Sequence, residues 1–328
     1  MGTGWRIASN LVQVITDLSD SPWASDGPAR SVITIGAYDG VHLGHQAIIA
    51  EVRRQAAALS ARSVVVTFDR HPASIVRPES APKLLTDLDQ KLELLAATGV
   101  DATVLIHFDL QQSNESPASF VQRVLVACLR AQRVVVGEDF HFGSHRAGNV
   151  ALLRELGLAH DFEVEPVQLV ERADGIDEPL SSTAIRRAMA GGQVELAASL
   201  LGRPFQARGP VVRGDQRGRL LGFPTANVEV PIAICIPADG VYAGWYRRPD
   251  GERHPCAINL GRRPTFYEHA DHSLLEAHLL DFDDDLYREV AMVEFTHFLR
   301  SERKFDGIDS LVSQLKQDIE HARGVLDG

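Results

Sequence analysis

The sequence predicts an α/β unit built on a parallel sheet, followed by an antiparallel β-sheet or barrel with a helix at its C-terminal end. Three observations predict this. In the first half, short and uniformly apolar runs alternate with helical stretches, the pattern of a parallel sheet covered on both faces. Beyond Gly209, short β-rich runs are separated by Gly, Pro and Asp, the pattern of antiparallel strands. The 328 residues exceed the roughly 100–200 of a typical single domain. The change of pattern places the boundary near residue 190, giving domains at 1–190 and 191–328.

In chain order, "SVITIG" (31–36) is a β-branched strand, and "LGHQAIIAEVRRQAAALSA" (43–61) is an Ala-rich amphipathic helix. "SVVVTF" (63–68), "ATVLIHF" (102–108) and "RVVVG" (133–137) read as further buried strands. "DLDQKLELLAATG" (87–99) and "PASFVQRVLVACLRA" (117–131) read as the helices between them. "SSTAIRRAMAGGQVELAASLLGRPF" (181–205) reads as two short helices broken at Gly191-Gly192. "GPVVRG", "DGVYAGWYRR", "HPCAINLG", "LLEAHLLDF" and "EVAMVEFTHFL" are the later strands, and "FDGIDSLVSQLKQDIEHARGVL" has helical period.

Apolar residues make up 45% and charged residues 23%, enough apolar surface for a real core. The net charge of −11 argues against a nucleic-acid partner, which would need a basic face. Only four lysines occur, so a small anion would be held by Arg, His and backbone N–H groups. Cys128, Cys235 and Cys256 are scattered without a CxxC, which suits buried free thiols rather than zinc or disulfides. No apolar run is long enough for a membrane span, and "MGTGWRIASN" lacks the pattern of a signal peptide. A cytoplasmic protein without membrane partners is expected.

The chemistry-bearing segment is "GAYDGVHLGHQAII" (36–49), where a strand hands over to a helix. Ligands of parallel sheets sit at such carboxyl ends. Asp39-Gly40 makes the tight turn. His42 and His45, spaced i and i+3, share one face of the first helical turn. Unsatisfied N–H groups and the positive end of the helix dipole suit that turn to phosphate. Gly44 lets a flat ring or a phosphate approach the backbone. Alone, the pair is as compatible with solvated histidines, and a metal site lacks a third neighbouring ligand. "SSTAIRR" supplies a second helix start, with Ser182 or Thr183 as the N-cap and Arg186 in the first turn. Two such starts could grip a triphosphate from both sides.

In the second half, "GFPTAN" (222–227) has neither a Walker lysine nor protein-kinase motifs. Thr225 and Asn227 offer hard oxygen donors of the kind Mg²⁺ takes, and Pro224 fixes the backbone before them. A plain Pro-Thr turn entering a strand fits the same residues. In "LLEAHLLDF", period two puts Glu276 on one face with Leu274 and His278, and Leu275, Ala277 and Leu279 on the other. Glu276 is thus either solvated or poised in a cleft. "HADH" (269–272) and "DFDDD" (281–285) read as a polar loop and a solvated turn.

Taken together, HxGH and the later Ser/Thr helix start resemble the nucleotidyltransferases related to class I aminoacyl-tRNA synthetases. The likeness is closer than that. "GAYDGVHLGH", "TFDRHP", "VVGEDFHFGSHRAGN" and "SSTAIR" resemble the FAD synthetase half of bacterial bifunctional riboflavin kinase/FMN adenylyltransferases. "GRLLGFPTAN", "GVYAGWY", "AINLGRRPTF", "LEAHLLDFDDDLY" and "FLRSERKF" resemble the riboflavin kinase half. Tyr38 replaces a usual Phe, Arg70 a usual Pro and Arg288 a usual Gly.

The resemblance implies a Rossmann-like nucleotidyltransferase domain and a β-barrel riboflavin kinase domain with a C-terminal helix. It implies that riboflavin, FMN, FAD and ATP are the ligands and Mg²⁺ the cofactor. His42 and His45 would act on the ATP phosphates, with Gly36, Tyr38, Asp39, Gly44, Ser182, Thr183 and Arg186 in the same site. Asp139, Phe140, Phe142, Arg146 and Asn149 would lie at the flavin. Gly222, Pro224, Thr225 and Asn227 would bind Mg-ATP, with Glu276 as general base. Two alternatives stay open from the residues: a nucleotidyltransferase for another phosphate ester, and a flavin-binding regulator without turnover. Homo-oligomerisation is left open.

Overall fold

The computed structural model describes residues 12–19, 23, 30–168, 170, 172, 174–262 and 273–327. The described chain forms two compact units that divide between Ser181 and Ser182.

The first unit is an α/β sandwich. Its strands are β1 (Gln13–Ile15), β2 (Ser31–Ile35), β3 (Arg62–Phe68), β4 (Ala102–Ile106), β5 (Ala131–Gly137) and, after the short hairpin β6 (His141–Phe142) and β7 (Gly148–Asn149), β8 (Glu163–Val167). The main sheet has the order β1-β4-β3-β2-β5-β8, with every pairing parallel. Its connections carry α1 (Leu43–Ala58), α2 (Ala73–Val76), α3 (Leu88–Ala97), α4 (Leu110–Ser113), α5 (Pro117–Phe120), which continues as a π-helix through Cys128, and α6 (Val150–His160).

The apolar strands are apolar on both sides for a physical reason. Ile33, Ile35, Val64 and Val66 enter one core, while Val32 and Val65 enter cores on the opposite face. Helices must therefore cover both faces. The edge strands β1 and β8 escape the sequence reading because they are short or half-exposed. From β2 the chain passes through α1 to β3 on one side, while β5 flanks β2 on the other. The carboxyl end of β2 is thus the switch point where such sheets open a crevice.

The second unit begins with α7 (Ser182–Ala190) and α8 (Val194–Leu201), separated at Gly191-Gly192 as expected. Then come β9 (Phe205–Val212), α9 (Arg217–Leu220), β10 (Ala226–Val228), β11 (Gly240–Arg247), β12 (Arg253–Arg262), β13 (Ser273–Leu279), β14 (Val290–Arg300) and α10 (Ile308–Leu326). The strands close as an antiparallel barrel in the order β10-β13-β12-β11-β14-β9. Closure removes the sheet edges. Tyr242, Tyr246, Ile258 and Phe295 are fully buried. All three cysteines are buried free thiols. Among the described residues, no helix is long and apolar enough to cross a membrane. The HADH segment lies outside the described residues.

Candidate functional sites

At the end of β2 the chain makes a turn that needs unusual backbone. Tyr38, Gly40 and Val41 all have positive φ, at 51°, 83° and 40°. For Tyr and β-branched Val this region is disfavoured, and such strain persists only when the surroundings enforce it. Here they do. The Asp39 carboxylate, 5% exposed, accepts from the backbone N–H of Leu85 at 2.9 Å and of Thr86 at 3.2 Å. The Thr67 hydroxyl donates to the Ala37 carbonyl at 3.1 Å. The Tyr38 and Thr34 hydroxyls are hydrogen-bonded at 2.7 Å. Gly36 lies against the Tyr38 ring, where a β-carbon would come within 3.1 Å of it.

His42 is the N-cap of α1 rather than a first-turn residue, and its Nδ1 accepts from the His45 N–H at 3.3 Å. The two imidazoles stack with centroids 3.6 Å apart and planes 19° from parallel. The Tyr38 ring packs on His45 with centroids 4.8 Å apart and planes tilted by 55°. Burial, then the charge of His42, push His45 well below its usual pKa of 6.5. His45 is neutral at pH 7, and its buried Nδ1 has no hydrogen-bond partner. A β-carbon on Gly44 would come within 3.2 Å of the His42 ring, so the glycine lets that ring fold over the helix start.

Asp139, Phe140, Phe142, Arg146 and Asn149 gather around the β6–β7 hairpin. Phe140 and Phe142 stack with centroids 5.4 Å apart, and Phe142 belongs to the core. Asn149 Oδ1 caps α6 by accepting from Leu152 N–H at 2.9 Å. Asp139 and Arg146 are exposed. In the second unit, α7 starts at Ser182, which moves the cap position to Ser181, one residue before the expected Ser182 or Thr183. Ser182 and Arg186 are half-buried and Thr183 is exposed.

Described residues of the barrel line two cavities. One, of about 710 Å³, is bounded by Thr225, Asn227, Asn259, Glu276, Arg300 and one face of α10. Its volume suits a drug-sized ligand. The other, of about 450 Å³, is bounded by Gly214, Pro224, Thr225, Asn227, Asp283 and Tyr287 among others. Thr225 and Asn227 line both. Asn227 faces Glu276 across the β10–β13 ladder, and Glu276 faces Asn259 across β12–β13. Three polar side chains thus form a row across three strands. Leu275 and Ala277 are buried and Glu276 half-exposed, the alternation that period two requires.

Asn227 Oδ1 is buried without a hydrogen-bond partner, and a β-carbon on Gly214 would come within 2.6 Å of it. A buried amide oxygen without a donor is costly. Thr225 lines the same two cavities, and its hydroxyl and this amide oxygen are hard donors of the kind that fit Mg²⁺. His278 Nδ1 lies 2.7 Å from the Pro224 carbonyl and pins the GFPTAN loop to β13. Gly222 ends α9 at φ 88°. Two aspartates of the "solvated turn" contribute elsewhere: Asp281 pairs with Arg323 at 2.6 Å, and Asp284 with Arg248 at 3.5 Å.

Sequence reasoning did not single out Asn259, Arg300 or Asp318. Asp318 takes a bidentate bond from Arg300 (2.9 and 2.7 Å) and one from Gln314 (2.7 Å), which fastens α10 to β14 along the larger cavity. The motif "FLRSERKF" contained the signal, but only the barrel brings Arg300 to the helix.

Comparison with known proteins agrees with this geometry. A family model described as FAD synthetase matches residues 25–184, and one described as riboflavin kinase matches 201–326. Proteins described as bifunctional riboflavin kinase/FMN adenylyltransferase are similar over most of both chains. That of Pseudomonas fluorescens is 40% identical, over 90% of this chain and 92% of its own. That of Listeria monocytogenes is 38% identical, over 90% and 92%. A crystal structure described as a macrolide-efflux protein from Streptococcus pneumoniae superposes with a TM-score of 0.83 at 31% identity, covering 96% of this chain and 99% of that one.

Proposed function

The chain belongs to the bifunctional riboflavin kinase/FMN adenylyltransferase family, and from that premise we propose how its residues divide the work between two ATP-dependent reactions. The protein phosphorylates riboflavin to FMN and adenylylates FMN to FAD. We assign the adenylyltransferase to 1–190 and the kinase to 191–328; the compact units divide earlier, between Ser181 and Ser182, with α7 in the second unit.

In the kinase reaction, Glu276 takes the proton of the ribityl 5′-hydroxyl. That oxygen forms a bond to the γ-phosphorus of ATP as the bond to the β,γ-bridging oxygen breaks, and ADP leaves. Riboflavin occupies the larger cavity and ATP the smaller one. Thr225 and Asn227, which line both cavities, would hold Mg²⁺ and face the transferring phosphate. Mg²⁺, when bound, offsets charge on that phosphoryl group. The observation that supports this reading best is the position of Asn227: it borders both cavities and faces Glu276 across one ladder.

In the adenylyl transfer, an FMN phosphate oxygen bonds to the α-phosphorus of a second ATP, and pyrophosphate leaves. The nucleophile is already an anion, so no base is needed. Positioning and neutralisation supply the rate. His42, His45 and the N–H groups at the start of α1 serve the ATP phosphates, with Gly36, Tyr38, Asp39 and Gly44 shaping their turn. Ser182, Thr183 and Arg186 serve the β,γ end. The hairpin residues Asp139, Phe140, Phe142, Arg146 and Asn149 serve the flavin, with Phe142 and Asn149 acting through the hairpin and helix they hold. The test is incubation with riboflavin and Mg-ATP, with the flavins separated over time. Riboflavin should give FMN and then FAD; unchanged riboflavin and FMN would refute the reading.

A further inference from the structure

The chain uses arginine for nearly all its positive charge, yet one of its four lysines is buried in the first unit. Lys91, on α3, is 7% exposed. Burying an ammonium is costly unless it is well bonded. Its Nζ donates to the Phe68 carbonyl at 2.6 Å, where β3 ends, and lies 3.5 Å from the Ala37 carbonyl, just after β2. The same Ala37 oxygen accepts from the Thr67 hydroxyl. Lys91 therefore bridges the carboxyl ends of the two strands beside the switch point. The strained turn through Tyr38, Gly40 and Val41 starts at the carbonyl it holds. Asp39 anchors the far side of that turn to Leu85 and Thr86, a few residues before α3.

We infer that Lys91 is a positioning residue for adenylyl transfer: its ammonium holds the ends of β2 and β3 so that the turn delivers His42 and His45 in one geometry. The inference rests on the proposed assignment of that turn to the ATP phosphates. It needs the charged form, because only an ammonium combines full donor strength with attraction to the nearby carboxylates. The groups facing it are Asp39 from the turn, Asp69, Arg70 and His71 from the loop after β3, and Asp87 at the N-cap of α3; His107 bonds Asp69 at 2.6 Å. Burial lowers the Lys91 pKa to about 8, against the opposing pull of Asp39 and Asp69. The charge is thus lost just above neutrality.

The sign separates this effect from unfolding. A lysine whose folded pKa lies below its unfolded 10.5 releases its proton more readily when folded, so deprotonation between about pH 8 and 10.5 contributes stability. Lys91 would therefore cost activity as pH rises without loosening the fold.

The experiment measures FAD formation from FMN and Mg-ATP across about pH 6.5–9.5 for the wild type, Lys91→Arg, Lys91→Met and His45→Ala, with riboflavin phosphorylation and thermal unfolding on the same samples. Wild-type kcat for FAD formation should fall above about pH 8. Lys91→Arg should remove that fall, because arginine stays charged. Lys91→Met should lower kcat roughly 10- to 100-fold while riboflavin phosphorylation is unchanged. If Lys91→Met unfolds, the comparison of wild type with Lys91→Arg decides. A flat wild-type profile, an alkaline fall that persists in Lys91→Arg, or a folded Lys91→Met with wild-type kcat overturns the inference. Full FAD formation by His45→Ala would instead overturn the assignment of the turn.

Discussion

Asn227 and Glu276 stand directly opposite each other on neighbouring strands of the barrel, and Asn227 borders the two cavities described above. The proposed base and the proposed phosphate ligand are therefore held by one ladder. Glu276→Gln keeps shape and hydrogen bonding but cannot accept the proton. It should bind riboflavin normally, by flavin fluorescence, and lose roughly 10²–10⁴ in phosphorylation rate. FMN supplied directly should still become FAD.

Asn227→Ala removes the buried oxygen assigned to Mg²⁺. Phosphorylation should then need a markedly higher Mg²⁺ concentration, while the Mg²⁺ dependence of FAD formation stays as in the wild type. Titrating both rates against the ion checks this.

His45→Ala should lower FAD formation by ~10²–10³, as loss of one donor does in other preorganised sites, and leave FMN formation intact. Because His45 is neutral at pH 7, it contributes an N–H dipole, and His45→Asn should retain more activity than His45→Ala. The lowered pKa also sets a stability slope. Below pH 6.5 the unfolded chain takes up a proton that the folded chain refuses, so this group makes stability fall on acidification. Urea midpoints of the first unit between about pH 5 and 7 should show a shallower slope in His45→Asn.

Asp318→Ala leaves Arg300, mostly shielded from water, without its bidentate partner. The second unit should lose about 2–3 kcal/mol in denaturant unfolding. The KM for riboflavin should rise, because α10 walls the larger cavity.

Arg288 stands where the family usually has glycine, and its φ is 73° with the side chain exposed. Glycine adopts this backbone without the β-carbon clash. Arg288→Gly should stabilise the second unit by about 1 kcal/mol, read from its unfolding midpoint, with both activities unchanged.

Much of this was legible along the chain. The strand–helix alternation, the break at Gly191-Gly192, the alternation around Glu276 and the histidines at the start of α1 are all local, and each follows from a repeat of two or 3.6 residues or from helix-end chemistry. The edge strands β1 and β8 were not legible, because a strand buried on only part of one face carries a weak apolar signal. The cap of α7 falls at Ser181 rather than Ser182 or Thr183, since three consecutive hydroxyl residues offer equivalent caps.

The order of apolar and polar residues by itself determined two units, one with a covered parallel sheet and one with antiparallel strands, and the places where chemistry sits. Only the tertiary structure decided that Lys91 reaches the ends of two strands, and that Asn227, Glu276 and Asn259 align across three. Those relations join residues tens of positions apart, and strand register and helix packing, which no local pattern encodes, set them.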